Sequence, residues 1–257
     1  MYEQVTYDMG RVMQIEKRYP GNYGAPGLER APKRKRTPED VARQNMRNRV
    51  KTVQRLILAN FREGDWHLIL TYKKGLRPDT LNEGKGRVKK FLDHMRAAYK
   101  KAGRAFKYIC VTEKGKRGAC HHHLIIEDIA DAELNTKNLA MKFWNWGRKT
   151  FLPLYEEGEF EDLAEYITKK ETKEEGTGCS YTRSRNLIVP QPKKEAIHRK
   201  TWRKDPKPKK GYYVIPDSVV NGVNPVTGYP YQHYAMRKYA QEGPNERRRA
   251  DGIGGRA

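Results

Sequence analysis

Phe106-Lys107-Tyr108-Ile109-Cys110-Val111-Thr112-Glu113-Lys114-Gly115-Lys116-Arg117-Gly118-Ala119-Cys120-His121-His122-His123-Leu124-Ile125-Ile126-Glu127 contains two β-rich runs around a short glycine-bearing turn. Runs of this composition, 106–113 and 119–127, joined by so few residues, predict a hairpin. A hairpin makes its strands antiparallel, since a parallel pair needs a crossover of about a dozen residues or more. Upstream, Trp66 to Tyr72 reads as a strand ended by Lys73-Lys74-Gly75. Leu81 to Lys101 then reads as a helix, with Val88, Phe91, Leu92, Met95 and Tyr99 on one side. Downstream, a helix over 131–146 stops at Gly147, a short strand covers 149–154, a helix 160–170 and a last strand 179–189. Ahead of all these, Thr37 as N-cap, Pro38 in the first turn and Asp40 open a leading helix, 37–61. After that helix the order is β-α-β-β-α-β-α-β. The expected class is α+β: an antiparallel sheet of about five strands with helices on its faces.

Charge is distributed unevenly around this body. The 257 residues hold 53 Lys+Arg against 31 Asp+Glu, a net of +22. Residues 1–61 carry +7, residues 62–189 carry +6 and residues 190–257 carry +9. The flanks also hold the basic runs Pro32-Lys33-Arg34-Lys35-Arg36, 203–210 and Arg247-Arg248-Arg249. This suggests a three-part chain: an irregular basic arm over 1–36, a body over 37–189, and a Pro- and Tyr-rich basic wrap and tail over 190–257. Such flanks suit non-specific, salt-dependent attachment to a polyanion. No apolar run approaches the about 18–20 residues of a membrane span, and the N-terminus lacks the basic-then-apolar order of a secretory signal. Cys110, Cys120 and Cys179 are too few and too scattered for a disulfide framework or a four-cysteine zinc site. The expectation is a protein of the cytoplasm, without a membrane partner.

The most distinctive chemistry lies on the second run of the hairpin. Side chains alternate along a strand, so His121 and His123 face one way and His122 the other. Two imidazoles about 7 Å apart at their backbones can converge on one divalent ion. The preceding strand ends in Glu113, which the turn brings beside them as a third ligand. A carboxylate with two imidazoles suits Mg²⁺ or Mn²⁺ with open coordination positions. His121/His123 is the preferred register because Leu-Ile-Ile follows directly; His122 stays open as a ligand. A second constellation lies about forty residues on, where Tyr166 and Lys169 in Leu163-Ala164-Glu165-Tyr166-Ile167-Thr168-Lys169-Lys170 share one side of a helix.

His-x-His on a strand followed by Tyr-x-x-Lys on a helix resembles the HUH endonucleases. Within them it resembles the rolling-circle replication initiators of phages and plasmids related to filamentous-phage gene II proteins. Residues 55–61 look like the helix before the family's first strand, Leu70-Thr71-Tyr72 like its first motif, and Cys120 to Ile126 like its metal motif. Tyr166 to Lys169 looks like the nucleophile motif, Ser184-Arg185-Asn186-Leu187 like the strand after it, and residues 222–230 like a C-terminal stretch. His122 departs from the pattern, which usually has a bulky apolar residue there. The resemblance implies that Tyr166 attacks a metal-polarised phosphate at a replication origin. The products would be a 5′-phosphotyrosine and a free 3′-OH, with the strand rejoined later. Lys169 would orient the phosphate or favour the phenolate.

The expected substrate is single-stranded DNA, with bases on aromatic rings and phosphates on cations. Tyr181, Arg183 and Arg185 on the last strand are candidate contacts, joined by Lys170 and by the turn residues Lys116 and Arg117. No P-loop is present in the sequence, so a host helicase and polymerase are expected partners. The rival readings are a non-catalytic nucleic-acid-binding protein, a transposase or relaxase of the HUH type, and a metal-dependent RNase. A relaxase usually places its tyrosines before its histidines, the reverse of the order here.

Overall fold

The computed structural model describes residues 1–20, 30–32, 34–115, 118–155, 160–168 and 181–239. The chain divides into two compact units, one made of its two ends (1–35 with 191–257) and one of the segment 36–190.

The unit of the chain ends begins with two strands, Tyr2–Asp8 (β1) and Val12–Arg18 (β2), paired antiparallel. Their turn is built on Asp8, whose Oδ1 accepts from the Gly10 N–H at 2.8 Å. Gly10 adopts φ +82°, which costs glycine little and other residues more.

In the second unit, Thr37 caps the helix Pro38–Asn60 (α1). The Asp40 N–H donates to Thr37 Oγ1 and the Thr37 N–H donates to Asp40 Oδ2, a reciprocal capping box. There follow Trp66–Leu70 (β3), Leu81–Lys101 (α2), Tyr108–Lys114 (β4), Cys120–Ile126 (β5), Thr136–Phe143 (α3), Lys149–Pro153 (β6), Glu161–Thr168 (α4) and Thr182–Arg183 (β7). The five strands form one sheet in the order β6-β3-β5-β4-β7, antiparallel at every pairing. The fold is α+β, and the hairpin β4–β5 joins two of its central strands.

Two elements are shorter than the sequence suggests. The helix expected over 131–146 spans only Thr136–Phe143. Asp131 Oδ1 takes the N–H groups of Glu133 and Leu134, and the Asn135 side chain accepts from the Asn138 N–H, so polar side chains set a turn before the helix begins. The strand expected over 179–189 is a two-residue pairing at Thr182–Arg183; its first two residues lie outside the described residues. Beyond it, one backbone bond runs from the Ser184 N–H to the Tyr108 carbonyl, and side chains make the rest: Ser184 Oγ accepts from the Tyr108 N–H and Asn186 Nδ2 donates to the Phe106 carbonyl.

Strand alternation gives this sheet two differently used faces. Leu68, Leu70, Tyr108, Cys110, Leu124 and Ile126 form one core with Val88, Phe91, Leu92, Met95 and Tyr99 of α2 and with Trp144. The opposite face carries Ile109, Val111 and Ile125, with α4 reaching it and α1 packed on α4. The loop after α3 approaches β3 so closely that only glycine fits at 147: a Cβ there would lie 2.1 Å from the Thr71 carbonyl oxygen.

The chain returns to the first unit in Lys193–Ile197 (β8), Tyr212–Val214 (β9), Val220–Val223 (β10) and Pro230–Lys238 (β11). These join β1 and β2 in a six-stranded sheet of order β10-β11-β2-β1-β8, with β9 also on β11. The irregular arm expected over 1–36 and the extended wrap expected over 190–257 are therefore corrected: their described parts form one antiparallel sheet. The physical reason is the separation of the partners. Each end holds a local antiparallel pair, β1–β2 and β10–β11, but Ile15 pairs with Tyr234 and Glu3 with Ala196, so the sheet that joins the two ends is built from residues remote in sequence. Among the described residues, no helix is long and apolar enough to cross a membrane.

Candidate active site

The β4–β5 register aligns the polar side chains. Glu113 pairs directly with His121, Thr112 with His122 and Val111 with His123, so Glu113, His121 and His123 share one face. His121 Nε2 lies 2.9 Å and His123 Nε2 3.4 Å from Glu113 Oε1. One ligand atom from each of the three falls within 4.8 Å of the others, so the group could hold a metal ion. Glu113 and His123 are buried and His121 is half-buried. The Glu113 hydrogen bond raises the His121 pKa above its ordinary 6.5, against the opposing effect of burial.

Tyr166 of α4 faces this group. Its hydroxyl donates to Glu113 Oε1 at 2.7 Å and lies 2.9 Å from His123 Nε2. Helical spacing explains the reach: Ala164, Ile167 and Thr168 are buried, leaving the half-buried Tyr166 beside them to meet the sheet. Burial pushes the phenol pKa upward, and the hydrogen bond to and the charge of Glu113 add to the shift. Three polar groups of one hairpin and a tyrosine 43 residues on from His123 thus meet at one point.

His122 points the other way and is fully buried. Its Nε2 lies 2.8 Å from the Tyr72 hydroxyl and its Nδ1 2.9 Å from Thr112 Oγ1. Both ring nitrogens are engaged and the ring faces Trp144, so His122 is a core residue and drops out as a ligand. Burial, with the neighbouring His121 and His123, pushes its pKa down to about 3, which keeps it neutral.

The sequence reading did not single out His67, which the structure brings beside the group. On β3, His67 pairs with Ile125 and Ile69 with His123, so His67 lies on the same face as the ligand set. Its Nε2 is 3.0 Å from His123 Nδ1. For His123 to offer Nε2 to a metal, its proton must sit on Nδ1 and be donated to His67. Burial, then His123, lowers the His67 pKa to about 4, so His67 is a neutral acceptor. The available signal was parity: a histidine alternating with Ile69 on a strand next to β5.

The DNA-contact candidates divide differently. Arg183 and Arg185 are exposed and Tyr181 is half-buried, all beside β4. Lys116, Arg117, Lys169 and Lys170 lie outside the described residues.

No curated protein and no solved structure gives a significant match to the chain. Residues 65–175, the stretch holding His67, Glu113, the three histidines and Tyr166, match the family model of replication-associated proteins of the ORF2 and gene II protein type. Over that segment the chain is similar to the replication-associated proteins of this family.

Proposed function

We propose that this protein initiates rolling-circle DNA replication by nicking one strand at an origin, with Tyr166 as nucleophile. The observation that carries the reading is the placement of the Tyr166 hydroxyl 2.7 Å from Glu113 Oε1 and 2.9 Å from His123 Nε2. A tyrosine set on the edge of a possible metal-ligand group is what a phosphate-cleaving covalent enzyme requires.

Glu113, His121 and His123 fit a divalent cation by the chemistry of the donor set. A buried carboxylate and two imidazoles converge on one side of the sheet, with the Tyr166 hydroxyl beside them. Mg²⁺ or Mn²⁺, which the carboxylate and the oxygens of a phosphate suit, is the assigned cofactor. When bound, the ion supplies Lewis-acid polarisation of the scissile phosphate.

The protein's own groups do the rest. The Tyr166 oxygen forms the bond to phosphorus as the bond to the 3′ oxygen breaks, which gives a 5′-phosphotyrosine and a free 3′-OH. With His123 Nε2 given to the cation, Glu113, which takes the phenol hydrogen bond at 2.7 Å, is the acceptor within reach of the phenol proton. The leaving 3′ oxygen takes its proton from solvent. Because the phosphoester is retained on the tyrosine, the strand can be rejoined by the reverse attack. Lys169, three residues on, is assigned to the phosphate. Arg183, Arg185 and Tyr181, with Lys116, Arg117 and Lys170, are assigned to the single-stranded substrate. A host helicase and polymerase, in the host cytoplasm, would extend the released 3′ end.

The test is incubation with labelled single-stranded origin DNA and Mn²⁺, followed by boiling in SDS. A covalent protein–DNA band is expected, absent in Tyr166→Phe and absent in EDTA, with oligonucleotide binding retained in both. A covalent band in Tyr166→Phe, or cutting that survives EDTA, overturns the assignment.

A further inference from the structure

The six-stranded unit contains a pocket of about 460 Å³ that the nicking chemistry does not use. Lys17, Arg199, Arg203 and Lys207 line it, with Trp202 and Tyr234, and no carboxylate lines it among the described residues. The pocket is held in shape by buried polar bonds. Gln232, fully buried on β11, accepts from Lys17 Nζ at 3.0 Å. Through Nε2 the same side chain donates to the carbonyls of Arg203 at 2.8 Å and Lys204 at 2.9 Å. Tyr19 donates to the Lys200 carbonyl, so the loop is tied to the sheet at a second point. Trp202 is stacked on Tyr19 and set edge-on to Tyr2, with ring centroids 5.0 Å apart in both cases.

Physical chemistry restricts what such a pocket takes. Lys17 is buried, with its ammonium 5.0 Å from the Tyr234 ring, and burial lowers its pKa below 10.5. The partners of this ammonium, Gln232 Oε1 and the Tyr234 ring, are neutral, and the three exposed cations that share the pocket add positive charge, so an anion there is favoured. A phosphodiester supplies the anion, and the braced indole supplies a surface on which a base can stack.

We propose that this pocket binds a phosphodiester of single-stranded DNA, with Lys17, Arg199, Arg203 and Lys207 around the phosphate and a neighbouring base against Trp202. The cations and the indole specify a nucleotide strand; the choice of DNA rests on the proposed nicking function. The unit of the chain ends thereby has a formed strand-binding site in addition to the diffuse positive charge of its sequence.

The test measures binding of labelled oligo(dT) as a function of salt in the full chain. One lost phosphate contact on a single strand lowers the slope of log K against log salt by about 0.7, so R199A/K207A, which strips two of the cations around that phosphate, is expected to lower it by up to about 0.7. Both side chains are exposed, as are Lys194 and Lys210, which lie outside the pocket; K194A/K210A removes the same charge and is expected to leave the slope nearly unchanged. Photocrosslinking with 5-iododeoxyuridine is expected to mark the peptide containing Trp202. Equal slopes for the two variants, no crosslink there, or tighter binding of oligo(U) than of oligo(dT) each overturn the proposal. Adduct formation at saturating origin DNA, run on the same proteins, separates the two readings. If Tyr166→Phe still forms an adduct while R199A/K207A loses its slope, the nicking assignment fails and the pocket stands.

Discussion

His67 Nε2 lies 3.0 Å from His123 Nδ1, on the side of the His123 ring away from Tyr166 and Glu113. The relationship spans two neighbouring strands and fixes which nitrogen of His123 is presented to the ligand group. His67 is a positioning residue in this arrangement, acting through His123.

Replacing His67 with Ala is therefore expected to weaken Mn²⁺ affinity by about 10–100-fold, the usual effect of removing such a partner. Isothermal titration should show the loss, and His67→Asn should recover part of it if its side-chain oxygen accepts the same proton. His123→Ala is expected to remove measurable binding altogether.

The other histidine face makes a stability prediction. Tyr72→Phe removes the hydroxyl that meets His122 Nε2 in a fully buried position. The stranded nitrogen should cost about 1–3 kcal/mol in urea unfolding, with metal affinity little changed. A large loss of metal affinity would instead mean that the two faces of β5 are coupled.

Lys17 gives a pH signature. Burial lowers its pKa, so as pH rises toward 10.5 it loses its charge before exposed lysines do. Oligo(dT) binding is expected to weaken in that alkaline range, and Lys17→Arg to flatten the profile, since arginine keeps its charge. The stability sign is opposite. The unfolded chain holds the lysine proton at pH values where the folded chain has released it, so the Lys17 contribution to stability rises with pH between the lowered value and 10.5. Binding that falls while thermal stability holds distinguishes titration from alkaline unfolding.

Deleting residues 1–35 tests the corrected view of the chain ends. β1 and β2 lie inside the sheet, between β11 and β8, and their loss leaves those strands without their main partners. Residues 191–239 are expected to become sensitive to limited proteolysis, while the body 36–190, with its own core, stays protected. Protection of both segments would show that the N-terminal strands are dispensable.

Much of the body was legible because its determinants are local. Alternation and a short turn encode the hairpin, Thr37 and Asp40 encode a helix start, and the apolar stripe of α2 specifies Leu81–Lys101 to the residue. His-x-His and Tyr-x-x-Lys were likewise readable, since strand parity places His121 and His123 together before any fold is known.

Tertiary structure alone decided the remainder. Parity says that His122 faces away from its neighbours; only the positions of Tyr72 and Thr112 show that both its nitrogens are bonded and that it belongs to the core. Parity puts His67 on one face of its strand, but only strand register shows that it meets His123, 56 positions away. The two basic ends read as arms because each holds half of a sheet, and Lys17 meets Gln232 only when strands 215 residues apart pair. Short-range physics wrote the hairpin, the helix starts and the ligand spacing into the sequence. Long-range pairing, whose partners carry no local mark of one another, assembled the sheet of the chain ends and joined the tyrosine to the histidines.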